Sequence, residues 1–455
     1  MFEFGRELRR LFGGDAGSKP FQDGLTGGDA TLLELLDLKP LCLEAKSADV
    51  AAGRMSVKDR ASRLLEAASI WREIARRTGD VVALRKAAAT AESSAKAFEA
   101  SHRPLGRARA KVEQAACAML GADLFGDEGL NAAALTVLAE ARQIGGAPAA
   151  QAEAMIAALH GRPIAESGDE TAVRMAAARF NAPLSLMETA AKKGGPLRLI
   201  AAETRIVRAD LLCAAGVRLK DASLLDAAVR DCDAALARLD PDFDPLTHSR
   251  ASLARAAALV LRAELGVDLG VLADAVAALA EAVGPITRDQ SPLDWAKAQI
   301  GLAAGLQSLG DAGLNEQALE KAVTCYDRAM VILKANPALT LSAIVAANRA
   351  ICLGRCAELT GDLAVLDAAE AAFKGELAGG AHQRDPVKWA LIQTNLARLY
   401  ETRVDLTGKD RGARAAAALA YSEALDVFSE RGLRSLADLA AQGLERVRRA
   451  VRPKV

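Results

Sequence analysis

Leu319-Glu320-Lys321-Ala322-Val323-Thr324-Cys325-Tyr326-Asp327-Arg328-Ala329 is the stretch from which the fold can be read. Leu319, Ala322, Tyr326 and Ala329 stand three and four residues apart, the spacing of one helix face. A step of 47 residues toward the N-terminus lands on Leu272, Ala275, Leu279 and Ala282, and a second on Leu225, Ala228, Cys232 and Ala235. The same step forward lands on Leu366, Ala369 and Phe373, with Glu376 in place of the last alanine. Leu84, Ala87 and Ala91 keep the register near the start of the chain. Columns agreeing at one offset identify a repeat, which sets the frame for every other motif.

A second set of columns marks the helix that precedes each of these. Trp71, Ala118, Ala165, Leu212, Leu259, Leu306, Leu353 and Tyr400 lie on the same grid, all apolar. Three residues earlier come Ala68, Ala115, Arg162, Ala209, Ala256, Ala303, Ala350 and Ala397. A small residue and a larger one on one face let a neighbouring helix approach closely while the space beside it is filled. Asp80, Asp127, Asp221, Asp268, Asn315 and Asp362 also fall on the grid, with Asp410 one residue late. Side-chain oxygens there are expected to cap the following helix, accepting from its unpaired N–H groups. Gly79, Gly126 and Gly361, each just before a capping Asp, are expected to end the preceding helix. Each unit is therefore a helix A, a capped turn and a helix B.

This combination resembles the tetratricopeptide repeat. The match is best in Pro292-Leu-Asp-Trp295-Ala-Lys-Ala-Gln299-Ile-Gly-Leu302-Ala303-Ala-Gly-Leu306. It returns in Pro386-Val-Lys-Trp389-Ala-Leu-Ile-Gln393-Thr-Asn-Leu396-Ala397-Arg-Leu-Tyr400, whose helix B carries Ala417, Tyr421 and Ala424. The resemblance runs from residue 60 to residue 430. It implies an all-α, right-handed solenoid of about eight helix-turn-helix repeats, stacked because one pair buries too little surface alone. The repeat is longer than the usual unit of ~34 residues, which implies lengthened helices. Leu433 to Val451 reads as a capping helix over the last apolar face, its arginines suited to a helix C-terminus.

Composition agrees. The chain has 455 residues, 51% apolar but only 4% aromatic, and its dominant residues are strong helix formers. Lys plus Arg and Asp plus Glu balance at 58 each, so the basic excess of a nucleic-acid binder is missing. Seven cysteines (42, 117, 213, 232, 325, 352, 356) without a CxxC suit a reducing cytoplasm, and high Ala and Arg usage suits a bacterial source. No run approaches the length of a membrane span.

Two regions break the pattern. In the third repeat the run Val173, Ala176, Phe180 arrives five residues early, and Pro183 stands where alanine is expected. The next interval restores the register, so this is one distorted unit near residues 160–195. His160-Gly161-Arg162-Pro163 is expected to interrupt its helix A. The unit reads either as a degenerate repeat or as a notch where a partner docks. At the N-terminus Phe4, Leu8, Leu11 and Phe12 form an apolar stripe in residues 1–12, followed by a flexible linker, 13–30, rich in Gly, Asp, Ser and Pro. The stripe has three uses open to it: a weak, peripheral contact with the inner membrane, a groove on another protein, or its own solenoid. Helix is expected to resume at Thr31 to Leu38 and beyond Lys58, with Ser56 as a cap, giving a single solenoid domain over 31–455.

Signatures of catalysis are not found: there is no GxxxxGK[ST], HExxH, GxSxG or dinucleotide GxGxxG. Cys352 and Cys356 share a helix face but no further ligand joins them, so they read as buried apolar residues. The four histidines (102, 160, 248, 382) fall mostly in turns and form no metal-ligand spacing. No cofactor and no metal are expected. Function is then assigned to the concave face lined by helix A. Its polar residues beside the packing columns are Arg208, Arg255, Gln299, Asn348, Arg349, Gln393, Asn395, Arg398 and Glu401. Asn348 and Asn395 stand where some peptide-binding relatives place an asparagine on the ligand backbone. The expectation is a scaffold or adaptor, not an enzyme, holding a peptide or partner protein. The alternatives are a regulatory sensor of a peptide or small ligand, and a helical enzyme of unfamiliar type.

Overall fold

The computed structural model describes residues 30–54, 59–191, 195–266, 268–336, 339–378, 385–431 and 433–451. The N-terminal stripe of Phe4, Leu8, Leu11 and Phe12, the linker up to residue 29, Ser56 and His382 lie outside them. A 3-10 turn, Ala30–Leu35, leads to helix α1, Leu38–Gly53. Thr31 to Leu35 thus wind as a 3-10 turn where helix was expected. The A and B helices then alternate: α2 Arg60–Thr78 with α3 Val81–Ala100, and α4 Pro104–Phe125 with α5 Glu128–Arg142. Repeat three pairs α6 Gly146–Ser167 with two short helices, α7 Glu170–Ala178 and α8 Asn181–Ala190. Next come α9 Pro196–Leu219 with α10 Ala222–Leu236, α11 Pro245–Gly266 with α12 Leu269–Val283, and α13 Pro292–Gly313 with α14 Glu316–Leu333. Then α15 Thr340–Thr360 pairs with α16 Leu363–Leu377, and α17 Pro386–Thr407 with α18 Ala413–Glu430, before the terminal α19 Arg434–Val451. The described residues form no β-strand, and none of their helices is long and apolar enough to cross a membrane.

The caps stand where the grid puts them. Asp80 accepts from Val82 N at 2.8 Å, Asp127 from Gly129 N at 3.0 Å and Asp221 from Ser223 N at 2.8 Å. Asp268, Asn315 and Asp362 do the same for Gly270, Ala318 and Ala364. Gly79, Gly126 and Gly361 take the left-handed conformation that ends a helix. The first A helix is capped by Asp59, itself left-handed, through Ser62 N. The small column is buried throughout except at Arg162, which is exposed. Gly161 does the work there, because a Cβ on it would lie 2.2 Å from Leu211 Cδ1.

Contacts divide the chain into two compact units: residues up to Gly301 with Ala335–Thr340, and Leu302–Lys334 with Leu341 onward. In the first, α1 to α7 pack in order, as do α8 to α12, and α9 packs on α6 and α11 as well as on its partner α10. The A helices curl until their inner faces meet. Arg76 on α2 reaches Glu203 on α9 at 2.5 Å, and Arg250 on α11 reaches Asp294 at the start of α13. The 3-10 turn is locked among them. Glu34 accepts from Leu246 N at 3.1 Å, Thr247 N at 3.0 Å and the Thr247 hydroxyl, capping α11 from 212 residues away. The fully buried Arg77 donates to Leu33 O and Leu36 O, and Gln290 donates to Glu34 O. In the second unit, α16, α17, α18 and α19 pack in order, with Phe373, Tyr421 and Phe428 buried at the contacts. Helix α19 covers α18, as expected of the terminal helix.

Repeat three corrects one expectation. The run through Pro163 is a single helix, Gly146–Ser167. The break lies in its partner, between Ala178 and Asn181. In one continuous helix the Pro183 ring would strike the carbonyl of Arg179. Starting a new helix at Asn181 puts Pro183 in a first turn, where N–H groups have no intrahelical acceptor to lose. Phe180, fully buried in the aromatic column, pins the elbow.

Candidate functional site

The polar residues expected on helix A are divided between the two units. In the first unit Gln299 is buried, its Oε1 without a hydrogen-bond partner among the described residues. Arg255 Nε donates to Asp233 at 2.5 Å. In the second unit Arg349 Nε donates to Asp327, also at 2.5 Å. Arg255 and Arg349 are two repeats apart, as are Asp233 and Asp327, so both pairs tie a helix A to the preceding helix B. Gln393 donates to Glu423, Arg398 to Glu358, and Glu401 accepts from Arg446. Asn348 neighbours the Tyr326 hydroxyl, which donates to Gln307 Oε1 at 3.2 Å, and Asn395 is half-buried. Most of these side chains link neighbouring helices. Cys352 is buried and donates to Leu319 O at 3.3 Å, and Cys356 is buried beside it. His160 and His248 lie inside helices, against the turn expected of most histidines, and no group of three metal-ligating side chains is found among the described residues.

The inner face of the first unit is filled by charge. Glu73 bridges Arg76 and Arg77 at 2.7 Å each, and Arg250 stands 4.0 Å from Glu73 and from Glu203. Burial alone would raise Glu73, but Arg76, Arg77 and Arg250 outweigh it and hold its carboxyl at about 2. Three arginines and three carboxylates, with Asp294, therefore neutralise one another, leaving this level of the inner wall closed. Asp210 keeps an open side chain but is densely surrounded by protein, which raises its carboxyl to about 6 against the pull of Lys297 and Arg162.

Arg208 belongs to a different place. Two adjoining hollows of about 290 and 460 Å³ open beside the elbow between α7 and α8. The larger has an apolar floor of Ala177, Leu212, Leu224 and Ala227. Arg205 and Arg208 line both hollows, with Asn181. Asp231, buried, accepts from Arg205 Nη1 at 3.0 Å and Arg208 Nε at 2.6 Å, and Glu188 accepts from Arg205 Nε at 2.6 Å and Arg238 Nη2 at 3.3 Å. Arg208 Nη1 donates to Asn181 Oδ1 at 2.7 Å. Two carboxylates and an amide thus fix the arginine forks in place before any ligand arrives. Exposed Leu186 and Met175 lie on the two short helices themselves.

Sequence reading reached Arg208 and the fault in repeat three without connecting them. Arg205, three residues before Arg208, shares its helix face and was the available signal. Arg174 and Arg230 come from other helices and Arg238 from the turn after α10, and only the tertiary fold brings them to the cleft.

Neither a protein family nor a curated protein matches the sequence. Among solved structures, the chain is similar to a Rap protein complexed with competence and sporulation factor, at 11% identity and TM-score 0.48, over 86% of this chain and 99% of that one. It is similar to aspartyl phosphate phosphatase F from Bacillus subtilis at 12% identity and TM-score 0.38, over 87% and 96%. A circular tandem repeat protein of novel topology aligns at 16% identity and TM-score 0.26, over 98% and 94%.

Proposed function

We propose that this chain is a non-catalytic interaction module that holds an extended segment of a partner protein in the cleft of its third repeat. The observation that carries the reading is the broken helix B. Beside it lies a cleft whose accessible apolar part is the half-buried Ala177 and Ala227, ringed by polar groups already fixed by their neighbours, a combination suited to a peptide. The cleft is open along one side, which suits a chain passing through it better than a small ligand enclosed on most of its surface. Its chemistry suits holding as well. Arginine stays protonated and cannot serve as a general base, and Asp231 and Glu188 are engaged by guanidinium groups.

A photo-crosslinking residue placed at Ala178, beside the floor, tests this in the producing cell, with a control at Leu439 on α19. Discrete adducts to the same protein from Ala178, lacking from Leu439 and lost when the floor is filled by Ala227→Trp, are expected. Equal adducts from both sites, or adducts untouched by Ala227→Trp, would remove the cleft from the function.

A further inference from the structure

We infer that the segment held in the cleft is acidic, with carboxylates on both sides of an aliphatic side chain. This rests on the peptide-holding reading above and goes on to name the chemistry of the ligand. Arg174, Arg205, Arg208, Arg230 and Arg238 line the two hollows, against Glu188 and Asp231. The chain as a whole is neutral, with 58 cations and 58 anions, so the concentration is local.

Pairing within the cleft leaves positive charge over. Arg205, Arg208 and Arg238 share the two carboxylates Asp231 and Glu188. Arg174 is matched outside the lining, by Glu170 and Asp221. Arg230 is exposed and has no hydrogen-bond or ion-pair partner among the described residues. Placement sets the order of groups along the ligand. Arg238 lines only the smaller hollow, Arg174 and Arg230 only the larger, and Arg205 and Arg208 stand between them. The apolar floor is in the larger hollow. An aliphatic side chain seated against the half-buried Ala177 and Ala227 puts the preceding and following residues near guanidinium groups at either end. Carboxylates there form charge-assisted, forked hydrogen bonds. Basic segments meet an uncompensated like charge, a means of rejection as well as selection.

The test uses the full chain and three fluorescein-labelled peptides, DEDLADED, its neutral isostere NQNLANQN and the basic KKKLAKKK, read by anisotropy. The acidic peptide is expected to bind about tenfold more tightly than the neutral one at low salt, and the basic one not at all. The preference should fade as salt is raised, because rim charges are screened. Arg230→Glu with Arg238→Glu should reverse the order of the acidic and basic peptides, with an unchanged helical circular dichroism spectrum showing the fold intact. Equal affinity for the acidic and neutral peptides overturns this inference and leaves peptide binding standing. Binding that survives Ala227→Trp overturns both readings, since it is then not in the cleft; no binding of any peptide does so too. Displacement of the acidic peptide by an equimolar single-stranded thymidine 12-mer would assign the arginines to phosphate instead and likewise overturns the inference.

Discussion

Removing the Glu34 side chain should loosen the first unit at a point more than two hundred residues away in sequence. Glu34 takes the N–H groups of Leu246 and Thr247 on one oxygen and the Thr247 hydroxyl on the other. Both acceptor sites face the first turn of α11, where Leu246 and Thr247 are buried. Glu34→Ala leaves two buried N–H donors unpaired, each costing about 1–3 kcal/mol. Water entering the vacated space recovers part of this, so the net loss is roughly 2–4 kcal/mol. Hydrogen exchange reads it directly: the Leu246 and Thr247 amides should exchange about 30- to 700-fold faster, at one decade per ~1.4 kcal/mol. Glu34→Gln is the discriminating control. Burial pushes the Glu34 carboxyl up against the pull of Arg250 and the Thr247 bonds, so its charge is itself a cost. The amide oxygen can keep both N–H bonds while its nitrogen donates to the Thr247 hydroxyl, so exchange should change little. Unchanged exchange in Glu34→Ala, or equal damage from both substitutions, would refute the trans-capping account.

Asp210 is raised from 3.8 to about 6, so the folded chain binds its proton more tightly than the unfolded one. Its contribution to stability is present in acid and lost as the pH rises through about 6. The wild type should accordingly lose more thermal stability between pH 5 and pH 7 than Asp210→Asn, and parallel melting curves would contradict this. Gly443→Ala would put a Cβ 2.4 Å from the buried Tyr421 ring. The helix-propensity gain of ~1 kcal/mol should be outweighed by overpacking of about 1–3 kcal/mol, seen as faster exchange in α19. Arg349→Ala breaks a pair with an exposed aspartate and should cost under ~1 kcal/mol, with acidic-peptide anisotropy unchanged. Asp231→Ala strips the counter-charge from Arg205 and Arg208, which should cost about 3 kcal/mol in urea unfolding.

Periodicity carried the fold because each repeat faces the same local problem. Ala228, Ala322 and Ala369 are small for the same reason, and Asp221, Asp268 and Asp362 cap the same turn. Such answers recur at 47 residues and so are visible in one dimension. The inner ionic cluster has no period. Arg76 meets Glu203 only because the stacked A helices curl back on themselves, and the amount of curl is a sum of small rotations that no single repeat records. For the same reason most of the polar residues beside the packing columns join neighbouring helices. Arg255 and Arg349 recur on the grid, and recurrence in a stack marks what holds neighbours together.

A binding site in such an array has to be an exception to the repeat. A regular helix B buries its Leu-Ala column, as Leu225, Ala228 and Cys232 do on α10. Where Pro183 divides the helix, Phe180 still fills its column position, so the core of repeat three survives. Beyond it a new helix starts, and the half-buried Ala177 and Ala227 line the hollow there, over the buried Leu224. Gly161 and the shifted register on α6 keep the stack closed behind the gap. The compensating intervals around residues 160–195 are thus the trace of a unit that keeps its contacts with both neighbours while giving up one helical turn. The arginines that gather there could not collect on a regular face, since each would have its own paired acid one helix away, as Arg255 has in Asp233.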